Sequence, residues 1–258
     1  MNLDQEQPLI NHLVELRNRL LKIVLVVLVL FLALFYFAND MYLILVKPLS
    51  AILPESGQMI ATGVTSPFLV PFKLTLVLSV LLAVPFILHQ VWAFIAPGLY
   101  QHEKRFGIPL LISSVLLFYC GIAFAYFVVL PLVFGFFTSV GPEGITLMPD
   151  INNILDFSLK IFFAFGLAFE IPIATLLLVL TGITTVESLS SKRPYVFLGC
   201  FVVGMLVTPP DIISQTVLAV PMWLLFEVGL LFARLFKGKS LPVNRDGTDS
   251  TSTTDNAQ

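Results

Sequence analysis

In lipid no water is available to pair backbone N–H and C=O groups, so a run of about 20 apolar residues has one way to cross the hydrocarbon, as a helix. This sequence is a succession of such runs, each bounded by charge, Pro or Gly. Six spans are expected. The first covers about Ile23 to Ala38, with an apolar continuation to Val46; the second about Leu74 to Ile95; the third about Ile108 to Phe137; the fourth about Phe157 to Leu180. Pro194 and the Pro209-Pro210 pair confine the fifth to Tyr195–Thr208, about 21 Å of helix and too short for a full bilayer. The sixth, about Ile212 to Ala233, carries Pro221 and is expected to be short in its regular part. Two short helices would thin the membrane locally or need a partner to shield them. Composition agrees with an all-α integral membrane protein: 57% of residues are hydrophobic and 12% charged, against about 25% charged in soluble domains.

The distribution of charge says more than its net value of -2, which gives no argument for nucleic acid. With six spans, the tails and even-numbered loops hold Arg17, Arg19, Lys22, Lys104, Arg105, Lys192, Arg193, Arg234, Lys237, Lys239 and Arg245, leaving Lys47, Lys73 and Lys160 from the total of 14 for the other side. The positive-inside rule then places both termini in the cytoplasm. Asp4, Glu6 and Glu15 do not suit the basic start of a cleaved leader. Three regions follow: an amphipathic cytoplasmic segment at 1–22, a transmembrane domain at 23–233, and a polar tail at 234–258 without apolar periodicity, expected to be disordered. The outer connections, Ile44 to Phe72 and Thr138 to Asp156, are proline-rich, partly apolar and expected to cap the bundle.

Catalytic motifs are missing. There is no H-E-x-x-H and no G-x-S-x-G, and His12, His89 and His102 lie near span ends. Gly238 to Ser240 imitates the end of a phosphate loop, but Ala233 stands where that loop needs glycine. Cys120 and Cys200 lie in apolar runs and read as buried free thiols. No enzyme, cofactor or metal is expected. Polar residues at membrane boundaries favour binding.

In PLINHLVELRNRL, Leu9, Leu13, Leu16 and Leu20 form a helical stripe with Asn11, Glu15, Arg19 and Lys22 off it, which suits a helix on the inner membrane surface. Glu15 and Arg19, four apart, also suit an exposed intrahelical ion pair. The first inner loop, FIAPGLYQHEKRFG, breaks at Pro97-Gly98 and sets Glu103 beside Lys104 and Arg105. An aromatic belt and topology charges account for its bases but not for Glu103.

HLVELRNRL, FIAPGLYQHE, FGLAFEIP, KRPYV and VTPPDIISQ stand in an order that resembles the TatC family, the multi-spanning subunit of the twin-arginine protein translocase, from about Pro8 to Arg234. The resemblance implies a concave, glove-like bundle of six helices with the fifth and sixth short. It implies a receptor for twin-arginine signal peptides of folded cargo, in the bacterial inner membrane, drawing on the proton motive force. Its partners would be the single-span subunits TatA and TatB, further TatC copies and lipid. The signal site would comprise Glu15, Leu16, Arg17, Phe94, Pro97, Leu99 and Glu103, and a partner-helix contact would comprise Glu170, Met205, Leu206, Thr208 and Gln215. Guanidinium pairs with carboxylate through two parallel hydrogen bonds that lysine cannot copy, which agrees with carboxylates at such a site. An ion-coupled transporter of small solutes is the alternative from another class, although no inverted repeat is evident.

Glu170 is the carboxylate this reading places near mid-membrane, where an acidic side chain costs about 2.5 to 3.5 kcal/mol on insertion scales. It must face protein or water. Gln215 or Thr208 would satisfy it within the chain, a proton relay would use it, or, as the resemblance implies, it would hydrate the concavity and meet polar groups of a partner span. Asp211 is placed to cap the sixth helix.

Overall fold

The computed structural model describes residues 6–50, 59–95, 107–140, 148–208 and 211–237, and within them the chain is almost wholly helical. Helix α1 (Glu6–Leu34) passes through a 3-10 turn (Phe35–Phe37) into α2 (Ala38–Ser50). Helix α3 (Ser66–Ile95) returns, and α4 (Gly107–Phe124) continues through a π turn (Ala125–Val129) into α5 (Leu130–Ser139). Helices α6 (Ile151–Ala168) and α7 (Ile171–Leu180) form one broken rod; α8 (Val186–Ser191), α9 (Arg193–Val207) and α10 (Ile212–Lys237) follow. Among the described residues five segments are long and apolar enough to cross a membrane: Leu13–Lys47, Ser66–Phe94, Gly107–Ser139, Ile151–Leu180 and Ile212–Leu235. Arg193–Val207 is apolar but shorter, as Pro194 and the Pro209-Pro210 pair require.

The helices depart from the expected spans for identifiable reasons. No turn separates residues 6–22 from the first span, because α1 is continuous from Glu6 through residue 22. The sixth helix is not short: α10 runs for 26 residues through Pro221. A missing N–H inside a packed membrane helix is tolerated where neighbours and local adjustment satisfy the freed carbonyl, and α10 is packed on α7 and α9. Pro131 acts differently. It removes the N–H that Phe127 would pair with, and the backbone widens there into the π turn. Pro172 likewise cannot bond back to Ala168, and the fourth span breaks at Phe169–Glu170.

Both outer connections are shorter than expected, since α2 reaches Ser50, α3 starts at Ser66 and α6 starts at Ile151. Lys73 and Asp156 therefore lie inside helices, where they pair with each other. The connections meet in a short parallel bridge: Ile60 N–H donates to Pro149 O at 3.1 Å, and Ile151 N–H donates to Ile60 O at 3.0 Å. Asp150 locks this joint. Its carboxylate caps α6 by accepting from Asn152 N at 2.8 Å, and it also accepts from Thr62 Oγ1 at 2.6 Å and Thr62 N at 2.9 Å.

Helix α6 is the centre of the packing, with Leu155, Ile161 and Phe165 fully buried against Leu74 of α3, Val129 and Leu130 beside the π turn, and Leu218 of α10. A second cluster at the other end joins Trp92, Leu110, Leu176, Phe226 and Leu230. Lipid tails are as apolar as these side chains, so close backbone approach matters more than in water. Two glycines set that approach. A Cβ on Gly121 would meet Phe165 O at 2.5 Å across α4 and α6, and one on Gly229 would meet Pro172 Cα at 2.8 Å across α7 and α10.

Gly121→Leu should therefore lower stability by about 1–3 kcal/mol, the usual cost of overpacking, seen as a lower melting temperature in detergent. Gly135→Ala, where a Cβ meets nothing within 4 Å, should not. The hydrogen bonds from Thr62, and then those from Asn152 and Asn153, hold the Asp150 carboxyl at about 2, below the ordinary 3.8. Its stabilisation is full above the unfolded value and is lost as pH falls through about 4 toward 2. Wild-type melting temperature should fall more steeply across that window than that of Asp150→Asn.

Candidate functional site

The residues singled out in the sequence fall into three places. The first is a corner between α1 and the end of α3. Arg19 donates to Glu15 Oε1 through Nε at 3.0 Å and Nη2 at 2.6 Å. The same guanidinium reaches across to α3, donating to Gln90 Oε1 at 3.1 Å and to Ala93 O at 3.2 Å. The intrahelical ion pair is thus real, and it is also a clamp holding α1 against the last turn of α3. Both Arg19 contacts fall on Oε1, so Glu15 Oε2 has no hydrogen-bond partner among the described residues. Leu16 and Arg17 are exposed beside it, and Phe94, next to Ala93, lies on the α3 side of the corner. Pro97, Leu99 and Glu103 lie outside the described residues.

The second place is the break in the fourth span. Glu170 is the twentieth of thirty residues in Ile151–Leu180, somewhat past the midpoint rather than midway, because the helix begins before Phe157. It occupies the N-cap position of α7: its N–H donates to Leu167 O at 3.1 Å, and its carbonyl accepts from Ala174 N at 2.9 Å. A helix N-terminus favours a carboxylate. Ser114 of α4 donates to Glu170 Oε2, while the buried Oε1 has no described partner. Gln215 and Thr208, expected as same-chain partners, are occupied elsewhere.

The third place is the α9–α10 turn. Gln215 Nε2 donates to Phe201 O at 2.8 Å and ties α10 to α9; Thr208 is buried and donates to Gly204 O at 2.9 Å. Asp211 caps α10 as expected, accepting from Ser214 N at 2.7 Å. Met205 and Leu206, 50% and 71% exposed, are the members of the partner-helix set that present an open apolar face. The structure does not join this set through hydrogen bonds to Glu170.

Sequence reasoning missed two partners and misjudged one residue. Glu227, inside α10, pairs with Arg193 at the start of α9, with Nη2–Oε2 and Nε–Oε1 both at 2.7 Å; an acid in an apolar run was the signal. Gln90, 8% exposed in an apolar helix end, was the mark of the Arg19 clamp. Cys120 is exposed rather than buried, because it lies on the α4 face away from α6; Cys200 is buried, and both are free thiols.

These helices define a multi-span membrane protein whose polar groups gather at helix ends and one mid-span break. Residues 11–221 match the family model described as Sec-independent protein translocase protein (TatC). The Sec-independent protein translocase protein TatC of Azotobacter chroococcum mcd 1 is 62% identical over 95% of this chain and 96% of its own length. That of Escherichia coli (strain K12) is 56% identical over 93% of each. A crystal structure of the twin arginine translocase receptor TatC superposes with a TM-score of 0.79 at 38% identity, covering 88% of this chain and 99% of that one. The chain belongs to the TatC family. It is a membrane component of a protein translocase, and its relatives are named for that non-enzymatic role.

Removing the clamp tests the first corner. Arg19→Met should cost roughly 1.5 to 3 kcal/mol, the range for hydrogen bonds to a charged group, lower the melting temperature, and speed amide exchange over residues 13–20. Arg17→Met should change neither, since that side chain reaches only Asn18 among the described residues.

Proposed function

We propose that this chain is the receptor core of a twin-arginine translocase, binding the signal peptides of folded proteins and nucleating their export across the bacterial inner membrane. The observation that carries this reading is the Arg19 clamp, because it brings Glu15, Leu16 and Arg17 against the end of α3 from which the loop bearing Pro97, Leu99 and Glu103 departs. Glu15 keeps one carboxylate oxygen open there and offers it to a single N–H of an incoming guanidinium. Glu103 supplies the second carboxylate, for bidentate pairing with the other arginine. A twin-lysine signal loses that bidentate geometry at Glu103.

Six spans with cytoplasmic termini complete the reading: α9 is the short fifth, and the Lys73–Asp156 pair supports placing both lysine-bearing helix starts at one outer end. The bundle is the family's concave, glove-like shape, with Glu170 turned into the concavity, where its unpartnered Oε1 receives water or a polar group of an inserted span. TatA or TatB lies against Met205 and Leu206, with Thr208 and Gln215 holding that face in shape, and further copies of the chain assemble beside it. The proton motive force drives transport. The solute-transporter alternative gains nothing from relatives named as translocase components.

Titration of the purified protein with a signal peptide carrying Arg-Arg, and with its Lys-Lys counterpart, tests recognition. Arg-Arg should bind more tightly, and Glu103→Gln should shrink the difference by at least about tenfold, the scale of losing a charge-assisted bond. Equal binding of both peptides to both proteins would remove the receptor reading. Glu170→Ala should leave this titration unchanged while lowering export.

A further inference from the structure

At the end of the bundle where α3 and α6 start and α9 finishes, a cavity of about 510 Å³ lies between these three helices. Lys73, Asp156 and Lys160 stand on its wall, and Phe163, Leu167 and Val203 continue it into the apolar depth. Lys73 and Asp156 satisfy each other. Lys160, one turn deeper than Asp156, is exposed and has no ionic or hydrogen-bond partner among the described residues. The wall therefore carries one uncompensated positive charge inside a membrane-spanning helix, where such a charge needs a counterion.

Helix lengths say what supplies it. Helix α9 has 15 residues and so rises about 22 Å, against a hydrocarbon thickness of about 30 Å. A bilayer accommodates so short a helix by thinning beside it, and thinning at its finishing end lowers the headgroup layer there by several ångströms. At that end Val203, Leu206 and Val207 form the cavity's third wall. Lys160 lies nine residues below the first residue of α6, about 13 Å down, and its flexible stem lets the ammonium rise toward the lowered headgroups. A cation at that depth above an apolar trough is the complement of an anionic amphiphile.

We propose that this cavity is a binding site for an anionic phospholipid, with the headgroup phosphate on Lys160 and Lys73 and one acyl chain along Phe163 and Leu167. The lipid seals the flank of the short helix and neutralises the unpaired lysine. The inference needs the chain to span a membrane and nothing of signal recognition, so its failure is separate from failure of the receptor reading.

Delipidated full-length protein in neutral detergent, titrated with phosphatidylglycerol or phosphatidylcholine and read by native mass spectrometry, tests it. Phosphatidylglycerol should be retained preferentially, and Lys160→Met should reduce its retention about fivefold, the effect of one basic residue near an anionic lipid. Lys22→Met, at the opposite end, should not, and inorganic phosphate should fail to displace the lipid. Equal retention of both lipids, unchanged retention in Lys160→Met, or displacement by phosphate alone would overturn the proposal. So would a Lys160→Met variant that keeps the lipid but loses a co-purified single-span subunit, since a partner carboxylate would then be the occupant.

Discussion

Backbone groups in lipid must find partners within the protein, and the architecture follows from how each helix meets or fails that demand. Where proline removes a donor the chain has three responses. Pro221 is absorbed in a packed helix, Pro131 widens the backbone into a π turn, and Pro172 breaks the rod. The break is the costly response, because it leaves polar backbone at membrane depth. Glu170 sits there as the N-cap of α7, with Ser114 on one oxygen. Its side chain makes no capping hydrogen bond to α7, and its other oxygen has no partner among the described residues. The same break that costs the fold a regular helix gives it a polar position at depth.

Much of the remaining polar chemistry lies at helix ends, where water and headgroups are within reach, while Lys160 and Glu227 stand inside helices. Asp150 joins the two connections at one end. Arg19 joins α1 to α3 at the other, and Arg193–Glu227 fixes α9 on α10. Small residues do the corresponding work in the apolar middle, with Gly121 and Gly229 letting backbones approach to van der Waals contact. On the proposed receptor reading, the corner that would meet the peptide is the one held by the Arg19 hydrogen bonds to Gln90 and Ala93.

Much of this was readable before any coordinates. The apolar runs located every long helix, the prolines set the length of α9, and the motifs around Glu15, Glu103 and Glu170 pointed to the family. Span ends were harder. Lys73 and Asp156 looked like boundaries because single charges are costly in lipid, yet each supplies the other's counterion and the helices continue past them. Pro221 looked like a limit because local propensity says nothing about packing on α7 and α9. Glu227 passed unnoticed for the reverse reason, since its partner Arg193 stands 34 residues away and only the fold brings them together. Gln90 had no pattern of its own; its meaning comes wholly from Arg19.

The central claim is that an arginine pair is read at the corner between α1 and the end of α3. Photo-crosslinking addresses it directly, with a twin-arginine peptide carrying a benzophenone beside the arginine pair and mass spectrometry of the labelled chain. The account places the label on residues 13–20 and 94–103. Label concentrated at the Lys73–Asp156 end, or on the α9 face at Met205 and Leu206, would contradict it.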